Sequence, residues 1–190
     1  MRSTHIRAAL IGACAFAPMV AMAQVEVQAV QHSTAGRILA VKVSEDIAPG
    51  DYELLLKGIT GNPGAYAQKL VVLDNIGGSV PEAIRMGRLL REAGFDALVP
   101  TEAVCQSTCV YLLAAGHKKT VRGAVGLHRP YFSGGDSARA NAAAKGMTYS
   151  PTAYLREMNI PTSLADELQR IEPAKMRLLS SQELARYRLN

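Results

Sequence analysis

The sequence predicts an α/β domain built on a mostly parallel sheet flanked by helices. Three observations carry this expectation. Short apolar runs of strand length, Lys69 to Leu73 and Phe95 to Val99, alternate with stretches that place apolar residues at helical spacing. The stretch between those two runs, Ser79 to Ala93, is one full helical pattern, which is the layout of a βαβ unit with parallel strands. Glycine and proline punctuate the gaps between elements, with Gly61-Asn62-Pro63-Gly64 and Gly77-Gly78 the clearest breaks.

Taken in order, residues 24–36 are polar and small with no firm period, and read as a loose N-terminal extension or an edge strand. The domain then runs over 37–190. Arg37 to Val43 reads as a strand, and Ile47-Ala48-Pro49-Gly50-Asp51 as a turn. Asp51 can cap a short helix over Tyr52 to Ile59. The helix from Ser79 has Ser79 as N-cap, Pro81 and Glu82 in its first turn, and an apolar stripe of Ile84, Leu89 and Leu90. Val110 to Ala115 and Ala124 to Leu127 are further apolar runs. Pro130 to Gly146 is rich in Ser, Gly and Ala, and reads as a loop followed by a weak helix where a lid or substrate groove would sit. Helices are expected over Thr152–Met158 and over Ser163–Ile171, the second capped by Ser163 with Asp166 three residues on. After Pro173, Met176–Leu179 reads as a short strand, and Ser180 with Glu183 forms a capping box for the last helix.

Residues 1–23 have the form of an export signal: Arg2 and Arg7, an apolar core from Ala8, and Ala21-Met22-Ala23 as a small-x-small cleavage site. Ile11-Gly12-Ala13-Cys14 offers a second reading in which Cys14 carries a lipid anchor, though its apolar core would be very short. Cleavage before Gln24 leaves 167 of 190 residues, enough for one domain with a sizeable core. The precursor has 21 basic and 16 acidic residues, so losing Arg2 and Arg7 leaves an excess of +3. The basic residues are scattered and not interleaved with aromatics, which argues against a nucleic-acid partner.

The mature chain keeps two cysteines, Cys105 and Cys109. An even pair in an exported protein reads first as a disulfide, and the spacing permits one if Cys105 lies just outside a helix. A zinc site from the same cysteines and His117 or His128 would lack a standard fourth ligand, so no metal is expected. Gly77-Gly78 lacks the spacing of a nucleotide loop and any phosphate-binding lysine, so no cofactor is expected either.

Ser107 stands between the two cysteines, ahead of an apolar run, and His128 ends the next one. A serine at a strand-to-helix turn has its hydroxyl lifted clear of the backbone, with the N–H of Thr108 beside it as an oxyanion donor. A histidine delivered by the following strand supplies the base that a weakly acidic hydroxyl needs. The competing reading is a histidine satisfied within the core.

The segment Ser107 to Gly116, ending in Ala114-Ala115-Gly116, resembles the nucleophile motif of the Clp protease proteolytic subunit and the wider Clp/crotonase superfamily. The resemblance extends to His128-Arg129-Pro130 and to Asn75-Ile76-Gly77-Gly78-Ser79-Val80, and covers roughly Arg37 to Leu189. It is closest to small exported members with a C-x-S-x-C motif. It implies Clp/crotonase-like ββα-type repeats, a nucleophile at Ser107, a base at His128, and oxyanion donors at Thr108 and at Gly77 or Gly78. It also implies peptide or small-ester substrates and a homo-oligomer of ring or trimer form. One position departs. Met176 stands where the family carries its third catalytic residue, an aspartate. Glu172 is the nearby carboxylate in sequence. An exported protein has no ATP at hand, which argues against an ATP-dependent unfoldase partner and against acyl-CoA chemistry. The two functions to be weighed are a serine hydrolase working with a Ser–His dyad and a non-catalytic scaffold that kept the fold.

The exported protein is expected to begin at Gln24, and its intact mass checks this. A mass carrying an acylated Cys14 at the N-terminus would refute it.

Overall fold

The computed structural model describes residues 24–129, 150–172 and 174–190. The expected signal over residues 1–23, Cys14 within it, and the loop over 130–146 fall outside the described residues. Two strands come first, β1 (Gln24–His32) and β2 (Gly36–Ile47), paired antiparallel as a hairpin. Of the two readings of residues 24–36, the edge strand is therefore the one that forms. There follow α1 (Asp51–Thr60), β3 (Gln68–Gly78), α2 (Val80–Glu92), β4 (Asp96–Val99), β5 (Val104–Gln106) and α3 (Cys109–Ala115). The chain continues through β6 (Lys119–Val121), β7 (Ala124–Leu127), α4 (Pro151–Glu157), α5 (Ser163–Arg170), β8 (Arg177–Leu178) and α6 (Ser181–Arg186).

All eight strands belong to one mixed sheet, parallel except where β1 and β8 join its ends. The sheet forks at β3. Leu70 to Val72 of β3 pair with β4, which carries β6 on its far side, whereas Asn75, nearer the end of β3, pairs with Cys105 of β5. The main path then runs β5–β7–β8. Parallel neighbours end at the same edge, so the C-terminal ends of β3, β5 and β7 lie side by side.

The core fills both branches. Leu39, Val41 and Val43 of β2 and Val71 and Leu73 of β3 are buried in one cluster with Ala83, Ile84, Met86 and Leu90 of α2. Each such aliphatic side chain contributes about 1.5–3 kcal/mol by leaving water. Every residue of α3 is buried, as suits a short helix that is apolar all round. Tyr154 of α4 is fully buried, donates from its hydroxyl to the carbonyl of Tyr111 at 2.6 Å, and stands edge-on to that ring. Its hydroxyl occupies the space a side chain at Gly87 would need, which brings α2, α3 and α4 together. Among the described residues no helix is long and apolar enough to cross a membrane.

Some helix ends follow expectation and others do not. Ser79 caps α2 by accepting from the Glu82 N–H, and Ser180 and Glu183 form the capping box of α6. The N-cap of α5 is Thr162 rather than Ser163, and its side chain makes no capping bond. Asp51 does not cap α1 either. The N-cap is Gly50, and the cap is supplied from α2: Glu82 Oε1 accepts from the Gly50 and Tyr52 N–H groups, each at 2.9 Å. A carboxylate at the positive end of a helix is favourable wherever in the chain it comes from.

Asp51 itself is buried, with one oxygen accepting from the Ala48 N–H at 2.7 Å and the other without a partner among the described residues. Burial pushes its carboxyl from 3.8 up to about 6; the Ala48 hydrogen bond opposes this, and the negative charges of Glu82 and Asp46 add to it. The folded chain thus holds this proton more tightly than the unfolded one. The resulting stability is fully present below about pH 4 and is lost as pH rises through about 6. Asp51→Asn removes the titration and keeps an acceptor for Ala48. It is expected to be more stable than wild type at pH 7.5 by on the order of 1–2 kcal/mol, and to lose that advantage toward pH 4. Denaturant unfolding at the two pH values checks this.

Candidate functional site

The candidate site forms where β3, β5 and β7 end together. Each strand delivers one part of it. β5 ends at Gln106, and the chain turns at Ser107 into α3. Ser107 takes a left-handed backbone, φ 53°, which non-glycine residues adopt only at a cost on the order of 1–2 kcal/mol. The turn is held from both sides. The Ser107 N–H donates to the Gly126 carbonyl of β7 at 2.9 Å, and the Ser107 carbonyl accepts from the Val110 N–H at 3.3 Å. Ser107 is 4% exposed.

The cysteines flanking this serine are joined, as expected, with Cα atoms 5.2 Å apart. Both are fully buried. Cys105 sits in β5 and Cys109 opens α3, so the bridge ties the strand to the helix across the Ser107 turn.

Gly77 supplies the opposite wall. A Cβ built on it would stand 2.6 Å from the Ser107 Cβ, 2.9 Å from the Gln106 carbonyl oxygen and 3.0 Å from the Thr108 nitrogen. Only glycine allows this approach, and its φ of 98° also favours glycine. The bend that brings Gly77 there is a bulge. Glu45 of β2 pairs with Asn75 and Asp46 with Gly77, leaving Ile76 unpaired and 55% exposed. Asn75 fixes the turn from within. It is fully buried, its Oδ1 accepts from the Gly77 N–H at 2.8 Å, and its Nδ2 donates to the Ser44 carbonyl at 3.3 Å. The Asn-x-Gly spacing is the sequence sign of this side-chain turn.

The expected oxyanion donors therefore differ in availability. The Gly77 N–H is already bound. The Thr108 N–H has no backbone acceptor among the described residues, and Thr108 is fully buried at the start of α3. Gly78 is pressed against Ile47 of β2, and the next N–H, that of Ser79, donates to the Ile47 carbonyl at 2.8 Å. The alternation of a strand then aims the Gly78 N–H away from β2. The Thr108 hydroxyl is buried with no hydrogen-bond partner among the described residues.

His128 follows β7 and is half-buried. No hydrogen bond joins it to Ser107 Oγ in this structure. Its Nδ1 lies 3.0 Å from the carbonyl oxygen of Arg129. A carbonyl only accepts, so Nδ1 carries the proton and Nε2 is left as the basic nitrogen. Arg129 is anchored in turn, its N–H donating to the Ile171 carbonyl at 2.9 Å. No carboxylate contacts His128 among the described residues. Glu172 is paired instead with Lys175 at 3.1 Å. Met176 packs on Gly126, filling the space a side chain there would take, and is 42% exposed. Gly126 and His128 share a face on the alternation of β7, so Met176 lies on the imidazole's side of the strand.

The site thus brings Ser107, Thr108, Gly77, Gly78 and His128 to one edge, with no acid beside the imidazole among the described residues. Asn75 and the Arg129 carbonyl, both silent in a search for catalytic side chains, hold the two flanks. No protein-family model matches the chain, and no curated protein matches it.

Replacing both cysteines (Cys105→Ala, Cys109→Ala) is expected to lower global stability by on the order of 2 kcal/mol or less, because the closed loop is very short. The larger effect should be local. Amide exchange at Ser107 and Thr108 should speed up far more than in β2 or α2, and hydrogen exchange resolved by residue checks it.

Proposed function

We propose that the protein is an exported serine hydrolase of Clp/crotonase type, cleaving an amide or ester with a Ser–His dyad and no cofactor. The observation that carries this reading is the Ser107 turn. A serine in a left-handed backbone, at the shared C-terminal edge of three parallel strands, is followed by a Thr108 N–H with no backbone acceptor among the described residues, and a histidine stands just past the end of the neighbouring strand. Strain of this kind concentrates at functional sites, and a buried core needs no such serine.

In the proposed reaction, Nε2 of His128 takes the Ser107 Oγ proton as Oγ bonds to the substrate carbonyl carbon. The resulting oxyanion is met by the Thr108 N–H and, with the Gly77 N–H held by Asn75, by the Gly78 N–H. As the C–N or C–O bond breaks, the imidazolium returns the proton to the leaving group. Water, activated by the same imidazole, then releases the acyl group from Ser107. The Ser107–His128 hydrogen bond must form on substrate binding, since catalytic pairs often reach their bonding geometry only with substrate. Peptide is the favoured substrate class, on the resemblance of Ser107 to Gly116 and its companion motifs to a protease family.

One observation favours a second reading. With Met176 in the acid's place and no carboxylate on His128 among the described residues, the imidazolium has no charged partner there. Loss of the acid in serine proteases costs on the order of 10⁴ in turnover. A scaffold that kept the fold and lost turnover fits the same feature.

A fluorophosphonate probe separates the two. Wild type should label slowly at Ser107, Ser107→Ala should not label there, and Met176→Asp should label at least about tenfold faster by restoring a charge beside His128. If wild type and folded Met176→Asp are both inert, the hydrolase reading fails and the scaffold stands.

A further inference from the structure

The sheet has three free ends among the described residues: β1, β6 and β8. Two are protected by brevity, since β6 has three residues and β8 two. β1 is different. It is nine residues long and pairs with β2 over its whole length without a bulge. It contains no proline, lysine or arginine, and Glu26 is its one acidic residue. Short edges, bulges, prolines and lysines are the usual means of keeping a strand edge from pairing. β1 uses none of them.

The exposure of the hairpin points the same way. Val25 and Val27 pack toward the core, and Val27 occupies the space a side chain at Gly58 of α1 would need. From Gln28 onward the strand is exposed on both faces, and Val30 is 42% exposed. This is a ribbon reaching past the helix that covers its base. A two-stranded ribbon has marginal stability by itself, and a third strand adds to it.

We propose that β1 pairs antiparallel with β1 of a second copy of the chain, joining the two sheets edge to edge about a two-fold axis at Gln28. The sequence of the strand, Gln-Val-Glu-Val-Gln-Ala-Val-Gln-His, is self-complementary in that register. Gln28 meets its own copy, and all nine residues find partners. Val27 falls opposite Ala29 and Val25 opposite Gln31, which extends the apolar row on the helix-covered face. On the other face Glu26 falls opposite Val30 and Gln24 opposite His32. No two like charges oppose each other. A two-fold axis perpendicular to the sheet makes any strand edge its own partner, so the contact closes at two copies. Ordinary strand pairing satisfies the outer N–H and C=O groups, as in other cases of strand addition. The pairing rests on β1 alone and is independent of whether Ser107 is a nucleophile.

The experiment uses the full exported chain and reads mass in solution by sedimentation equilibrium. Wild type should have twice the chain mass at micromolar concentration. Val30→Glu sets a new carboxylate against Glu26 of the other copy, twice over by symmetry, and should weaken the dimer about tenfold. Adding Glu26→Lys to that variant converts both repulsions into attractive pairs and should restore the dimer. Val30 is exposed, so the thermal transition of each variant at fixed monomer concentration serves as the folding control. A monomeric wild type overturns the proposal. So does an assembly that ignores Val30→Glu, which would place the contact elsewhere, or a failure of Glu26→Lys to restore a folded Val30→Glu variant.

Discussion

Backbone has to touch backbone where β3 passes the turn after β5, and the candidate site depends on that contact. The space between Gly77 and the Ser107–Thr108 peptide is too small for a single methyl group. Glycine at 77 admits the contact, the bulge at Ile76 aims it, and Asn75 holds it by binding the Gly77 N–H. On the other side the Gly126 carbonyl accepts from Ser107, so the serine turn is gripped by both neighbouring strands. Because all three strands are parallel, the grip falls at one edge of the sheet. The disulfide adds a covalent tie across the same turn, from β5 into α3.

The same economy governs the helices. Several of their ends are satisfied from across the fold. Glu82 of α2 caps α1, and Arg91 of α2 donates to the carbonyls of Ala114 and Met158 at the ends of α3 and α4. Hydrogen bonds to charged groups contribute about 1.5–3 kcal/mol each, more than a neutral cap supplies. α2 therefore acts as a hub that fixes the orientation of three other helices, and its charged residues are structural. Asp51, buried beside this junction, holds its proton more tightly chiefly because of that burial, with the Glu82 carboxylate adding to the effect.

Much of this was legible in the sequence where the signal is local. The helix from Ser79, its cap, and the Ser180–Glu183 box need only residues within one turn, and they were found where expected. The alternation of strand and helix was enough for a mostly parallel sheet. What escaped depends on distance along the chain. Glu82 caps a helix some thirty residues earlier, so Asp51, the nearest acid, was the natural misreading. The fork at β3 cannot be seen because β5 and β6 are three residues each, too short to carry a period. At the site, the disulfide and the turn at Ser107 could be anticipated from residue types. The choice between the two glycine donors could not, because it is decided by where the Asn75 side chain points.

The acid position shows how far residue identity alone can mislead. Methionine at 176 suggests that nothing fixes the imidazole. Yet the work of a triad acid has two parts, selecting the tautomer and stabilising the charge that forms. The Arg129 carbonyl performs the first, since Nδ1 must donate to it and Nε2 is left free to accept. A backbone dipole offers far less than a carboxylate toward the second. Arg129 is tied to Ile171, so the carbonyl is held in place rather than borrowed from a loose loop. In the proposed reaction the imidazole therefore has a fixed tautomer but, among the described residues, no carboxylate beside it. On the proposed hydrolase reading, the cost falls on each step that forms the imidazolium, and it lowers turnover of peptide and ester alike.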